Sequence, residues 1–181
     1  MELRRLKEND IQGMLEWMHD PNVFQFFRFS CENYTEENVA QFIKQAQIDF
    51  DNDIHRHYAI VDENDQYLGT ISLKDIDKKS LNAEYAISLR SNVHGKGIAT
   101  WATKEILKIA FLQLGLLRVY LNVLSNNTSA IHLYEKCGFV YEGEFRQHIN
   151  IRGQVCSLKW YSILRQEYLQ KGEVETNENN A

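Results

Sequence analysis

Hydrophobic residues change their spacing several times along the chain, and each change marks an element. Leu3-Arg4-Arg5-Leu6 reads as a short strand. Asn9 or Asp10 can start a helix that carries Ile11, Met14, Leu15 and Met18 on one stripe, and Asp20-Pro21-Asn22 stops it. A second helix is predicted from Thr35, with Val39, Phe42, Ile43, Ala46 and Phe50 at three- and four-residue steps. The period then drops to two. Strands are expected over 57–61, 67–73 and 83–89, the last with Ala83, Tyr85, Ile87 and Leu89 on one face. A glycine-bearing loop, 90–97, leads into a long helix that Gly115 should end. A strand over 119–124, a helix over 129–137 closed by Gly138, and strands over 139–145 and 155–164 complete the pattern. The order β-α-α-β-β-β-α-β-α-β-β is a mixed α/β arrangement.

Composition adds little to this picture but excludes several classes. The 181 residues suffice for a core without disulfides or a structural metal. One proline and no Pro/Ser-rich linker imply one domain over 1–170. Residues 171–181, KGEVETNENNA, hold one large apolar residue, Val174, and read as a polar, disordered tail. Twenty Lys and Arg against twenty-five Asp and Glu leave a net charge of −5, which argues against a nucleic-acid partner. The N-terminus lacks a signal-peptide core and no apolar run is long enough to span a membrane, so a cytoplasmic protein with no membrane partner is expected. Cys31, Cys137 and Cys156 are widely spaced and read as reduced thiols. His55-x-His57 places two imidazoles on one strand face without a third ligand in register, so no metal is expected.

The most informative stretch runs from Ser88 to Thr100. A strand ends, Gly95 and Gly97 follow, and a helix begins. The first turn of a helix leaves N–H groups unpaired at the positive end of its dipole, and glycines let an anion approach the backbone closely. The loop is neither a Walker A sequence nor a dinucleotide fingerprint, because Thr100 stands where the third glycine belongs.

His94-x-x-Gly97-x-Ala99 resembles the (Q/R)-x-x-G-x-(G/A) acyl-CoA loop of the GNAT acetyltransferases. Downstream, Asn127-Thr128-Ser129-Ala130-Ile131-His132-Leu133-Tyr134-Glu135-Lys136-Cys137-Gly138-Phe139 is similar to the family segment N-x-x-A-x-x-L-Y-x-x-x-G-F. The two motifs lie one helix and one strand apart, as in the family, and the resemblance extends from Leu3 to about Leu164. It is nearest to the branch holding ribosomal-protein alanine, spermidine and amino-sugar-nucleotide acetyltransferases. It implies a single-domain GNAT-like fold: a mixed sheet of about seven strands, splayed between strands four and five, with about four helices. It also implies acetyl-CoA as co-substrate, held by Ile87, Ser88, Leu89, His94, Gly95, Lys96, Gly97, Ile98, Ala99 and Thr100, with Asn127 and Ser129 reading either as further contacts or as helix-capping residues. The family's Gln or Arg is His94 here, a single donor in place of a permanent charge, for which Lys96 and Arg90 would compensate.

By the same resemblance, Tyr134 would donate to the leaving sulfur. A phenol near pKa ~10 facing a thiol near ~8.5 makes full transfer uphill by about 2 kcal/mol, so its value lies in hydrogen bonding as charge develops. Glu84, on the face opposite Tyr85 and Ile87, matches a glutamate common in this branch. It reads as the base for the amine or as a structural carboxylate. The acceptor would be a primary amine of a small molecule, met by Phe24, Phe27 and Arg28. The wording Trp17-x-x-Asp20-Pro21-x-Val23 leans toward an amino-sugar nucleotide, with a polyamine or a protein N-terminus as alternatives. A non-catalytic acyl-CoA-binding module is the rival from another class. Exposed edge strands near the C-terminus would permit a homodimer.

Overall fold

The computed structural model describes residues 1–170; the tail expected over 171–181 lies outside them. Seven strands form one sheet: β1 (Glu2–Arg5), β2 (Arg56–Val61), β3 (Tyr67–Asp77), β4 (Asn82–Leu89), β5 (Arg118–Leu124), β6 (Val140–Ile151) and β7 (Gln154–Leu164). Their order is β1-β2-β3-β4-β5-β7-β6. Every pairing is antiparallel except β4–β5.

Five α-helices cover the sheet: α1 (Ile11–His19), α2 (Pro21–Phe24), α3 (Glu36–Asp51), α4 (Ile98–Lys108) and α5 (Thr128–Cys137). β2 shows how period two divides them. Tyr58 and Ile60 join the core that includes Ala102, Ile106 and Leu107 of α4 and Ile131 of α5. Ala59 and Val61 join the core that includes Met14 and Met18 of α1 and Val39 and Ile43 of α3. α4 and α5 therefore lie on one face, α1 and α3 on the other.

Local chemistry sets the ends. Thr35 caps α3 through Asn38 N. Gly138 closes α5 at φ 98°. α4 runs on as a π-helical turn, Ile109–Gln113, before Gly115 turns at φ 67°.

The structure departs from or adds to the predicted pattern in several places. Asp10 makes no capping bond to α1; it is buried, accepts from Lys7 N, and takes Arg4 in two 2.8 Å bonds. Asp20 ends α1 but at once caps α2, which has Pro21 in its first turn. β3 extends to Asp77 and β6 to Ile151, well past the predicted ends. In both, the extra residues are mostly polar or exposed and do not alternate, so only the ladder to the neighbouring strand reveals them. Residues 165–170 form a further helical turn.

Candidate active site

The parallel pairing of β4 and β5 lasts three rungs, Asn82↔Arg118, Ala83↔Val119 and Glu84↔Tyr120. Beyond Glu84 the strands part. Tyr85 to Leu89 pair only with β3, and Leu121 to Leu124 only with β7. Ile87, Ser88 and Leu89 thus line an open strand edge whose backbone groups are free to pair with an extended ligand.

The loop past that edge keeps its backbone open. Gly95 and Gly97 sit at φ 74° and 78°, and a Cβ on either would meet nothing within 4 Å. Gly97 is the N-cap of α4 and brings no side chain to the helix start, so the N–H groups of the first turn remain unbonded by any cap. Ile98 is buried, anchoring the turn; Ala99 and Thr100 are half-buried; Lys96 is exposed. His94 folds back, its Nε2 lying 3.3 Å from Leu89 O, so it shapes the loop. Arg90 is not free to replace the family's charged residue. It is paired with Glu16 at 2.6 Å and donates to Tyr67 O.

Tyr134 projects from α5 into the sheet, edge-on to Tyr85 with ring centroids 5.7 Å apart and beside Phe139 at 5.9 Å. Tyr85 is fixed in turn. Thr103 Oγ1 donates to Ala99 O, so it must accept from the Tyr85 hydroxyl at 2.7 Å. The Tyr134 hydroxyl has no hydrogen bond to any described residue, and burial raises its pKa. It stays protonated and keeps its hydrogen available. Cys137 follows on the same helix, where burial raises the thiol and opposes a thiolate acyl carrier. Asn127 caps α5 by accepting from Ala130 N at 3.2 Å, and Ser129 is exposed in the first turn.

Glu84 lies on the opposite face. Its Oε1 meets Arg28 Nη2 and Lys74 Nζ, each at 3.2 Å, and Asn122 Nδ2 at 3.5 Å. Arg28 therefore neutralises a carboxylate here instead of waiting for a phosphate. The aromatic segment is less buried than a core would be. Phe27 lies between Trp17 and Phe29, 5.3 Å from each, and Phe29 is exposed. Phe24 carries the Arg152 guanidinium 5.0 Å above its ring. Phe24, Phe26, Leu124, Arg152 and Cys156 are among the walls of a cavity of about 220 Å³ between α2 and the β6–β7 turn.

Sequence reasoning missed Lys74 and Asn122, which meet Glu84, and Arg152, which lines this cavity. Only the alternation of β5 hinted at Asn122. His55 and His57 are brought together but turned to other work: His57 Nδ1 meets Ser72 Oγ at 2.8 Å, and His55 Nδ1 accepts from Asp75 N. Among the described residues no group of His, Cys, Asp and Glu could hold a metal ion, and no helix is long and apolar enough to cross a membrane.

An open strand edge, unobstructed glycines and an uncapped helix start fit the pantetheine arm and phosphates of acyl-CoA. Comparison with known proteins agrees. Residues 1–140 match the family model described as an acetyltransferase (GNAT) domain. The spermidine N(1)-acetyltransferase of Vibrio cholerae is 28% identical over 175 residues, 94% of this chain and 96% of that protein. The enzyme of the same name from Escherichia coli K12 is 28% identical over 172 residues, 93% of this chain and 88% of that one. The crystal structure of the Vibrio cholerae spermidine N-acetyltransferase with CoA and spermine superposes with a TM-score of 0.84 at 26% identity, covering 93% of this chain and 97% of that one. The chain belongs to the GNAT acetyltransferase family and is an acetyl-CoA-dependent N-acetyltransferase.

Proposed function

We propose that the acceptor is a polyamine of the spermidine type, acetylated on a primary amine. The observation that carries this reading is the chain-long similarity to two bacterial spermidine N(1)-acetyltransferases. It replaces the lean toward an amino-sugar nucleotide. The placement of Arg28 supports the change, since its guanidinium already faces Glu84.

An alkylamine near pKa ~10.4 costs roughly 4.6 kcal/mol to neutralise at pH 7, so such an acceptor demands a base. Glu84 is our candidate. Its contacts with Arg28, Lys74 and Asn122 all fall on Oε1, which leaves Oε2 to take the amine's proton. Acetyl-CoA supplies the acetyl group as a thioester. Tyr134 stands on the other face of the strand gap and donates its hydroxyl hydrogen toward the departing sulfur. The two proton-handling groups thus flank the gap, one on each face of the sheet. Lys96 and the first turn of α4 bind phosphate, and Ile87 to Leu89 orient the arm.

The test is free-thiol release from acetyl-CoA with spermidine, amino-sugar nucleotides and peptides offered separately. Turnover with spermidine well above the other two is the expected result. Turnover confined to either of the others would overturn the substrate assignment.

A further inference from the structure

Gly69 sits on β3 directly opposite Leu89, the last residue of β4. It lies outside the left-handed region, so its backbone conformation does not require glycine. Its surroundings do. A Cβ at Gly69 would stand 2.4 Å from Ser88 O and 3.0 Å from Leu89 Cα, both main-chain atoms, and 2.5 Å from Leu89 Cδ2. Ordinary contact begins near 3.4 Å, so Ser88 O would have to retreat by about 1 Å. The strand end is not free to swing aside. Arg90 N donates to Leu68 O at 3.0 Å and Arg90 Nη1 to Tyr67 O at 3.0 Å, which ties it down onto β3. β3 is itself bulged here, with Leu68 an extra residue between Tyr67 and Gly69 in the pairing with β2.

The same bonds fix what the other edge of β4 offers. Successive residues of a strand turn their N–H and C=O groups to opposite edges. Arg90 turns its N–H to β3, so Ser88 faces β3 too, and Ile87 and Leu89 turn theirs to the edge that β5 has left. An N–H···O bond spans roughly 2.7–3.2 Å and is gone by about 3.6 Å, so a main-chain shift of about 1 Å is enough to break one. We propose that Gly69 is a positioning residue for the cofactor. The side chain it lacks lets the end of β4 lie close against β3, which places the main-chain groups of Ile87 and Leu89 where the pantetheine amides of acetyl-CoA pair. The proposal rests on the reading above that this edge holds the arm. Gly69 lies behind β4 as seen from the gap and acts only through that strand.

In Gly69→Ala, calorimetry should show the Kd for acetyl-CoA raised roughly tenfold, with a matching rise in its KM and the KM for the amine within about twofold of the parent's. Phe111→Ala weakens a buried part of the core and should keep the parent's Kd, which separates positioning from lost stability. An unchanged Kd in Gly69→Ala, or an equal rise in both variants, overturns the proposal. The double variant Gly69→Ala/Leu89→Val removes the overlap with Leu89 Cδ2 and keeps that with Ser88 O. It should still bind acetyl-CoA more weakly than Leu89→Val alone. Affinity equal to that of Leu89→Val assigns the effect to one side chain and overturns the proposal, as does failure of both Gly69→Ala proteins to fold. A crystal structure of the parent with CoA distinguishes the two readings. If the arm pairs with Ile87 and Leu89 while Gly69→Ala binds as the parent does, only the role of Gly69 fails. If the arm lies elsewhere, the reading of the strand edge fails and the proposal falls with it.

Discussion

Tyr134 and Glu84 differ in what surrounds them, and on the proposed reading that difference divides their work. Tyr134 is enclosed by Tyr85 and Phe139 and held protonated by burial. Tyr134→Phe should lower kcat by about 10²-fold, with the KM for acetyl-CoA little changed, because the bond it removes forms only as charge reaches sulfur. Steady-state kinetics at saturating amine checks this. On the proposed reading Arg28 competes with an incoming ammonium for Glu84. Arg28→Met should therefore lower the KM for spermidine several-fold and leave that for acetyl-CoA unchanged. His57 carries a stability prediction. Burial, and to a lesser extent His55, lowers its pKa from 6.5 to about 4, while Asp49 opposes them. The unfolded chain then binds more protons than the folded one between those values. Stability falls as pH drops from about 6.5 toward 4, by at most about 3 kcal/mol from this group. Urea unfolding at pH 7.5 and pH 4.5 should show a smaller difference in His57→Gln than in the parent.

At the scale of elements, the strand edge and the start of α4 act as one device. β4 ends at Leu89, a 3₁₀ turn spans Ser91–Val93, and Gly97 starts α4 from a left-handed conformation. Gly97→Ala finds space for its methyl group but must hold φ near 78°, at a cost of about 1 kcal/mol. On the proposed reading the methyl group also stands where a phosphate approaches the backbone. Titration of acetyl-CoA by calorimetry should show a Kd raised roughly tenfold or more, with only a few degrees lost in Tm. The motif residues His94, Gly97 and Tyr134 were legible in sequence because each is tied to an element boundary or a helical stripe. Lys74 and Asn122 were not, because their approach to Glu84 depends on which strands pair and in what register, and that is a tertiary fact.

Across the whole molecule, the two faces of the sheet have different tasks. The α4–α5 face packs the larger core, with Phe111 fully buried and its ring 5.1 Å from Tyr168 in the final helical turn. The α1–α3 face carries Glu84 and the segment we propose meets the acceptor, to which the β6–β7 turn returns. There Arg152 meets Phe24 O and Glu32, each at 3.4 Å. Phe111→Ala should cost about 3–5 kcal/mol in chemical unfolding, while the folded fraction keeps its KM for both substrates. A comparable rise in either KM would show that the core and the gap are not separable.

The spacing of apolar residues by itself determined the order of the strands and longer helices, the two helix stripes and the loop that opens α4, because these depend on neighbours within a turn or a pleat. Net charge and the absence of ligand clusters narrowed the chemistry further. Tertiary structure alone decided where β4 and β5 part, that Arg28 and Lys74 converge on Glu84, and that β6 runs to Ile151. Each of these joins residues distant along the chain. Strand register and charge pairing are settled by packing, and no local pattern encodes them.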